Sequence, residues 1–377
     1  MKAQKGFSVL MVLMLVLSLI LPAMAEEDTI KIGGIAPLTG SAAEYGNAVK
    51  QGADLYIDEL NAAGGINGKK VEIVWEDDAG NDQQAQSIYY KHLEDCVAIL
   101  GDVLTQQCRV VASLAVEDGI PMVTASATAF DVTEGKPNVF RSCFIDDFQG
   151  IVMANYAADQ GYTKVAILYG ADDAYSTGLV TNFEEQAAKR GVEIVAKEAA
   201  GFHDVDFKAQ LTNIKNAAPD AVFLPFYYSE AALILAQAKE LGFTTLYLCA
   251  DGMSNIKSSV ADTTLLPQIV YSDHFSFASQ DEMVVNFIKN FKDKYGFDPD
   301  SSFSATGYDA ALVICEGIKA AGSTEWSDIA EAIKGLSVEG VSGTIRFDEN
   351  NNPIKSAFVM TFDAEGNKVF VTKVDPQ

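Results

Sequence analysis

The sequence predicts an α/β protein with two doubly wound parallel sheets. From residue 29 onward, short runs of β-branched and apolar residues alternate with longer amphipathic stretches, as in successive βαβ units. A second series of the same kind begins after residue 144, and the chain is long enough for about two domains. Because helices cover both faces of a parallel sheet, we expect two lobes with sites beyond the carboxyl ends of their strands.

The first series contains four predicted strands, at residues 29–36, 70–77, 96–102 and 119–126. A helix follows the first strand, because apolar residues from Val49 to Leu60 recur at helical spacing, and Gly64 or Gly65 ends it. Two more helices are predicted at about 83–95 and 105–117.

The second series contains predicted strands at 164–170, 192–199, 221–228 and 244–251. Helical spacing indicates helices near 146–160, 176–190, 207–217 and 229–241. The pattern then changes to three helices, at 280–294, 305–321 and 327–335. Two last strands, 355–363 and 368–374, are joined by a short turn and predict a hairpin.

The first 25 residues have the features of a secretory signal peptide. Lys2 and Lys5 precede an apolar run, and Ala23-Met24-Ala25 forms a small-residue cleavage site. No cysteine follows at this site, which argues against a lipid anchor, and no other stretch approaches the ~18 apolar residues that span a bilayer. We expect a secreted protein in the periplasm or on the extracytoplasmic face of a bacterial cell, without membrane insertion after cleavage. An uncleaved anchor is the alternative.

The composition excludes several classes of partner and site. The chain has 52 acidic and 27 basic residues and a net charge of −25, so nucleic acid and anionic membranes are not expected as partners. The five cysteines are widely spaced and form no CxxC or Cys/His cluster, so no zinc site is predicted. Most lie in apolar runs and should be buried thiols, with one disulfide left open.

The standard catalytic signatures are missing. The chain has no GxGxxG, GxxxxGK[ST], GxSxG or HExxH motif. His92, His203 and His274 are far apart in sequence, which argues against a histidine-based catalytic or metal site. Residues 348–353 imitate the start of a calcium loop, but Pro353 replaces the required glycine, so a tight turn is predicted. We expect no reaction, no metal and no cofactor.

Hydroxyl side chains stand at the end of the fourth predicted strand. In the stretch TASATAF, Thr124, Ser126 and Thr128 would share one face of an extended backbone. Such residues often form turns or helix caps, but they also suit a small polar ligand. Thr105 is placed at the start of a predicted helix, where free N–H groups attract a carboxylate, although it too could be a simple cap.

Three further candidates belong to the second series. Tyr175, Tyr227 and Asp251 each stand at or after a strand end, where ligand sites of such sheets lie. Alone, the tyrosines could be core or rim aromatics, and Asp251 could cap a helix. Their joint occurrence with the hydroxyls of the first series predicts a site shared by both lobes.

Several collinear stretches carry a resemblance to one family. They are KIGGIAPLTGSAAEYG, AAGGINGKKVEIVWEDDAGNDQQA, PMVTASATAFDVT, YGADDAYSTG and FSATGYDAALVICEGI. These stretches are similar to the leucine/isoleucine/valine-binding family of extracytoplasmic solute receptors, which serve ABC importers. The resemblance implies the type I periplasmic binding protein fold, in which three crossovers form a hinge between two lobes, here near residues 142, 273 and 353. Lobe 1 would comprise residues 26–142 and 274–353, and lobe 2 residues 143–273 and 354–377, in a monomer.

The resemblance also implies residue roles. Contacts to the carboxylate and ammonium of an amino acid fall on Thr105, Ser126, Thr128, Tyr175, Tyr227 and Asp251. Candidates for the pocket around its side chain are Val103, Leu104, Tyr45 and Phe303. The implied function is to capture a free amino acid, with Leu, Ile or Val preferred, by hinge closure and to deliver it to a membrane permease.

Two departures from the family leave the preferred ligand open. Gly80 and Leu104 stand where some members have a disulfide, and Asp251 replaces a longer Glu. Another small amino acid, a short amide or urea is therefore an alternative ligand. Among other classes of protein, a ligand-sensing receptor module or an extracellular hydrolase would suit a similar fold.

Overall fold

The computed structural model describes residues 29–376, so the predicted signal peptide lies outside the described residues. The first of its two main sheets consists of β1 (Ile30–Ala36), β2 (Val71–Asp77), β3 (Ala98–Leu100), β4 (Met122–Thr124) and β5 (Val139–Arg141). All five strands are parallel, in the order β2-β1-β3-β4-β5.

Helices cover both faces of this sheet. They are α1 (Ala43–Ala62), α2 (Asp82–His92) and α3 (Thr105–Asp118). In β1, Ile32 belongs to the core that contains Val49 of α1, whereas Ile35 packs in a second core with Tyr89 of α2 and Val111 of α3. The odd spacing of the two isoleucines places them on opposite faces of the strand.

The second sheet has seven strands. They are β6 (Lys164–Gly170), β7 (Glu193–Ala200), β8 (Ala221–Phe223), β9 (Leu246–Cys249), β10 (Ile269–Asp273), β13 (Ala357–Phe362) and β14 (Lys368–Val374). Their order is β14-β13-β10-β9-β8-β6-β7, and β13 pairs antiparallel with both β10 and β14, whereas the other pairs are parallel. The associated helices are α4 (Asp146–Asp159), α5 (Ala174–Arg190), α6 (Lys208–Ala217) and α7 (Tyr228–Glu240).

Between β10 and β13 the chain forms three helices and a small hairpin. These are α8 (Glu282–Tyr295), α9 (Ser302–Ala321), α10 (Trp326–Lys334), β11 (Ser337–Gly340) and β12 (Gly343–Arg346). Helix α9 packs closely on α1 through two glycines. A Cβ on Gly52 would collide with the carbonyl of Ser304, and a Cβ on Gly307 with that of Val49.

The predicted α/β class, the two doubly wound sheets and the C-terminal hairpin are confirmed. Strands β3, β4 and β8 are shorter than predicted, because the chain leaves the sheet early to form loops. Strands β5 and β10 and the β11–β12 hairpin were not predicted. Strand β10 follows a short 3-10 helix, Thr263–Gln268, so the amphipathic helix that marks the other βα repeats is missing before it.

A buried cluster links the first and third crossovers. Ser142 Oγ donates to the carbonyl of Thr306 in α9, at 2.8 Å, and Lys355 Nζ donates to the carbonyl of Ser142, also at 2.8 Å. Lys355 also forms a 3.5 Å ion pair with Asp309 of α9. The chain passes between the sheets at these points, and the exact lobe boundaries stay a prediction.

Within residues 29–376, no helix is both long and apolar enough to cross a membrane. All five cysteines are buried and free, so the disulfide left open by the sequence is not formed. The predicted tight turn near residue 350 is present, since Asp348 accepts the backbone N–H groups of Asn350 at 2.8 Å and Asn352 at 2.9 Å.

Candidate functional site

A small cavity lies between loops of the two sheets. Its volume is about 20 Å³, enough for about one water molecule and far below the roughly 300–1,000 Å³ that is common for ligand sites, so an amino acid would enter only if the walls move apart. It is lined by Tyr45, Val103, Leu104, Thr105, Ser126, Tyr175, Tyr227, Asp251, Gly252 and Phe303. Nine of the ten predicted contact and pocket residues therefore meet around one cavity, and the exception is Thr128.

Thr105 is the first residue of α3, and the start of this helix is uncapped. The preceding residue, Leu104, makes no side-chain hydrogen bond to the helix. The first N–H groups of a helix have no acceptor within the helix and carry its positive dipole end. Because Thr105 lines the cavity, these N–H groups suit an anion such as a carboxylate.

Hydroxyls at and just after the end of β4 stabilise the neighbouring loop of residues 101–104. Thr124 Oγ1 donates to the carbonyl of Asp102 at 2.7 Å, and Ser126 Oγ donates to the carbonyl of Val103 at 2.8 Å. Both side chains are buried. The hydroxyl of Ser126 is therefore already bonded within the protein, although the residue lines the cavity.

Thr128 lies outside the cavity wall. Its carbonyl accepts the N–H of Asp146 at 2.9 Å, and its buried hydroxyl has no hydrogen-bond partner among the described residues. The expectation of one shared face fails because β4 ends at Thr124 and the chain bends at residues 125–126. Alternate side chains share a face only while the backbone stays extended.

Asp251 follows β9 and is almost fully buried, with 2% of its surface exposed. Its Oδ1 accepts from the Tyr175 hydroxyl at 2.9 Å and from Gln149 Nε2 at 3.0 Å, and its Oδ2 lies 2.8 Å from His274 Nε2. In the described chain no Lys or Arg pairs with it. These donors supply no permanent cation, so the carboxylate suits an ammonium group.

Tyr175 and Tyr227 form an aromatic wall of the cavity. Their rings are stacked, with centroids 4.9 Å apart and an interplanar angle of 23°. Burial raises the pKa of both phenols well above its usual value, so both stay neutral. The Tyr175 hydroxyl accepts the N–H of Gly252 at 3.0 Å while it donates to Asp251, which fixes both partners.

Tyr45 connects the two sides of the cavity. Its hydroxyl donates to the carbonyl of Gly252 at 2.6 Å and accepts the N–H of Tyr228 at 3.1 Å. Its ring packs edge-on against three aromatic rings at 4.7–5.6 Å, those of Tyr227, Tyr228 and Phe303. Tyr45 belongs to α1, whereas its bonding partners follow strands of the second sheet, so these bonds join the two sides of the cavity. The sequence indicated only the pocket role of Tyr45.

Two contacts of Asp251 were not predicted. Gln149 of α4 donates to the Asp251 carboxylate, and its Oε1 accepts the Asp251 backbone N–H at 3.0 Å. His274 was set aside because the histidines are far apart in sequence, yet it directly follows β10, the neighbour of β9. A position directly after a strand could have identified His274 as a candidate site residue, but β10 itself was not predicted.

A buried acid pair lies behind the loop of residues 101–104. Asp78 and Asp102 are fully buried, and three of their four carboxyl oxygens have no donor in the described part of the chain. Burial raises the pKa of Asp78 to about 6 and that of Asp102 well above its usual value. Burial therefore favours the protonated forms of this pair. Nearby, Gln107 Nε2 donates to the carbonyl of Gly80 at 2.9 Å.

A larger groove of about 900 Å³ lies between α8 and the β11–β12 hairpin. It is open to the surface and contains none of the predicted site residues, so the small cavity is the stronger candidate. Among residues 29–376, no group of three or more His, Cys, Asp or Glu side chains is arranged to bind a metal ion.

Comparisons with known proteins agree with this architecture. Residues 29–367 match the family described as periplasmic binding protein. A leucine-, isoleucine-, valine-, threonine- and alanine-binding protein of Pseudomonas aeruginosa is 30% identical over 327 residues, which are 86% of this chain and 87% of that protein.

Two solved structures are similar over nearly the whole chain. A leucine-binding protein from Thermotoga maritima has a TM-score of 0.85 at 32% identity and covers 92% of this chain and 99% of its own. A branched-chain amino acid transporter substrate-binding protein from Streptococcus pneumoniae, in complex with isoleucine, has a TM-score of 0.85 at 30% identity and covers 91% of this chain and 99% of its own. With two α/β lobes, a cavity between them and a match from residue 29 to residue 367, the chain belongs to the periplasmic binding protein family.

Proposed function

We propose that the protein binds a free amino acid in this cavity and delivers it to the permease of an ABC importer, without catalysing a reaction. The proposal depends on one observation, which is that the same cavity has one end that suits an anion and another end that suits a cation. The uncapped start of α3 at Thr105 suits a carboxylate, and the buried carboxylate of Asp251 suits an ammonium group. The matched relatives are named for such ligands, which supports this proposal.

The side-chain end of the cavity favours Leu, Ile or Val. Val103, Leu104, Tyr45 and Phe303 form a wall without charge, and the Tyr45 hydroxyl is already bonded. A charged side chain buried there would cost several kcal/mol, whereas each buried methylene contributes about 0.8 kcal/mol. We therefore expect Asp, Glu, Lys and Arg to bind at least ~100-fold more weakly than leucine.

Membership of this family implies an extracytoplasmic location. We place the protein in the periplasm or on the outer face of a bacterial cell, as a monomer, after removal of residues 1–25. Closure would occur between lobe 1, residues 26–142 and 274–353, and lobe 2, residues 143–273 and 354–377. Closure would exclude water from the two polar ends and so strengthen both contacts.

Calorimetry tests this function directly. The twenty amino acids, short amides and urea are titrated into the mature protein, and leucine, isoleucine or valine should bind most tightly. Tighter binding of a charged amino acid or of urea than of leucine would contradict the proposed ligand. Turnover of any candidate substrate would instead support the alternative that the protein is a hydrolase.

The Asp251→Asn variant tests the ammonium contact. Loss of the charge should weaken leucine binding by about 2–5 kcal/mol, as when one partner of a buried charge pair is removed. Asp146→Asn is a matched control, because burial raises the pKa of Asp146 well above its usual value and the change replaces one neutral group with another. Leucine affinity close to wild type in Asp251→Asn would remove Asp251 from the site.

A further inference from the structure

Helix α9 is attached firmly to α1, which covers the first sheet. Gly307 of α9 packs on the backbone of Val49, and Gly52 of α1 packs on the backbone of Ser304, so that neither glycine has room for a Cβ. Phe303, in the first turn of α9, lines the cavity. Because the two helices interlock at backbone distance, α9 moves with α1 and carries this part of the cavity wall with it.

A buried ion pair joins α9 to the third predicted crossover. Lys355 Nζ lies 3.5 Å from Asp309 Oδ2, and only 2% of the lysine side chain and none of the aspartate side chain are exposed. The ammonium group also donates to the carbonyl of Ser142 at 2.8 Å and to the hydroxyl of Ser342. Asp309 accepts the N–H groups of Val341 at 2.6 Å and of Ser342 at 3.0 Å. All three ammonium protons and both carboxylate oxygens therefore have partners.

The same helix reaches the other two predicted crossovers. Ser142 stands at the first crossover, and its hydroxyl donates to the carbonyl of Thr306 at 2.8 Å. At the second crossover, Asp273 accepts the hydroxyl of Ser254 at 3.4 Å, and Ser254 Oγ accepts the N–H of Ser302 at 3.2 Å. All five residues are buried. Residues 302–309 of α9 therefore meet the chain wherever it passes between the two sheets.

Stability alone does not account for the ion pair. Taking two charges out of water costs about as much as their attraction returns, so apolar replacements of such pairs are often neutral or stabilising. The pair does restrict geometry, because a buried charge that loses its partner is costly. Lys355 lies two residues before β13, and Ser142 lies four residues before α4. Turning of the second lobe is therefore confined to the few residues that follow these two anchors.

We propose that residues 302–309 of α9 form the pivot of lobe closure, and that the ion pair of Lys355 with Asp309 fixes this pivot. The second lobe rotates about the anchored residues instead of sliding past the first lobe. Because Phe303 belongs to the pivot and lines the cavity, a ligand that packs on Phe303 also contacts the pivot. This inference rests on the proposed function, since it concerns the closure that captures the ligand.

The test measures lobe movement in the double variant Lys355→Met, Asp309→Asn. These changes remove both charges and nearly keep the side-chain volumes, so they leave neither an isolated buried charge nor a large cavity. Fluorescent labels on Glu117→Cys of α3 and Lys189→Cys of α5 report the distance between the lobes. Both positions are exposed, whereas the native cysteines are buried and should not take up label.

The wild type should show two narrow distance populations, with leucine shifting molecules to the shorter distance. Without ligand, the double variant should show one broad distribution, because the pivot is no longer fixed. Its Kd for leucine should rise about tenfold or more, since a smaller fraction of molecules is arranged to close correctly. Its thermal unfolding should stay close to that of the wild type, which separates a role in closure from a role in stability.

The matched control is the double variant Lys294→Met, Asp58→Asn. It removes an ion pair of the same residue types between α8 and α1, at 2.7 Å, away from the crossovers. This control should keep the wild-type distances and Kd. Ser142→Ala removes only the bond from the first crossover to α9, and it should broaden the distance distribution to a smaller extent. It decides the question if the first double variant does not fold.

Wild-type distance populations in both the Lys355→Met, Asp309→Asn variant and Ser142→Ala would overturn the pivot. An equal broadening in the control variant would also overturn it, because any lost ion pair would then have the same effect. A wild type that binds no amino acid would instead overturn the proposed function. The distances measured without ligand would still test the pivot in that case, so the two failures can be told apart.

Discussion

Replacement of Tyr45 by phenylalanine should weaken ligand binding while the open protein keeps its stability. The Tyr45 hydroxyl bonds to the carbonyl of Gly252 at 2.6 Å and to the N–H of Tyr228 at 3.1 Å. Without the hydroxyl, both backbone groups would be buried in the closed form without a partner, at about 1–3 kcal/mol each. In an open form, water would satisfy them. A net loss of about 2–4 kcal/mol raises the Kd for leucine roughly 30- to 700-fold.

Calorimetry with leucine measures this loss, and thermal unfolding without ligand shows whether the fold itself is affected. Tyr56→Phe is the matched control. Tyr56 lies on the same helix as Tyr45, but its hydroxyl is 3.5 Å from Glu316 of α9, away from the cavity. This control should leave the Kd unchanged. A Kd for Tyr45→Phe within about threefold of wild type, or an equal loss in Tyr56→Phe, would refute the reasoning.

Two further predictions concern stability. Burial raises the pKa of Asp78 to about 6 in the folded protein. Protonated Asp78 therefore makes its full contribution to the free energy of unfolding below about pH 4. As the pH rises through 6, up to about 3 kcal/mol of that free energy is lost. Asp102→Asn can donate to Asp78 at every pH and should flatten this dependence, which urea unfolding at pH 4 to 7 would measure. Gly307→Ala should cost roughly 1–3 kcal/mol, because the methyl group would collide with the carbonyl of Val49. Gly178→Ala is the control for this variant, since the nearest atom to an added Cβ there is 3.8 Å away. Equal unfolding free energies for the two variants would contradict the close contact between α1 and α9.

The parts of the site that local rules describe could be predicted from the sequence. Thr105 begins a helix after β3, Tyr227 and Asp251 follow strands, and Tyr175 follows β6 after a short loop. Carboxyl ends of parallel strands meet at one edge of a sheet, so these positions converge whatever the details of packing. The expectation that Thr124, Ser126 and Thr128 share one face depended on a continued extended backbone, and it failed where the chain bends.

Contacts that depend on how distant segments pack could not be predicted in this way. The bonds of Tyr45 join α1 to loops about 180 and 200 residues further along the chain. The raised pKa values of Asp78 and Asp102 require two loops to be buried together, and neither carboxyl group has a sequence signature for such burial. His274 was missed for the same reason, because sequence distance between histidines says nothing about their distance from Asp251.

The hydrogen bond between Gln107 and Gly80 also bears on how the protein responds to its redox surroundings. It joins the start of α3 to the loop of Gly80 without sulfur chemistry, and all five cysteines are buried as thiols. Burial raises the pKa of Cys96 and of Cys143 to about 12, so these two thiols are largely unreactive in the folded protein. Neither reductants nor mild oxidants should alter the binding loop, and the folded protein should therefore keep its ligand affinity in oxygen-free, strongly reducing media as well as in air.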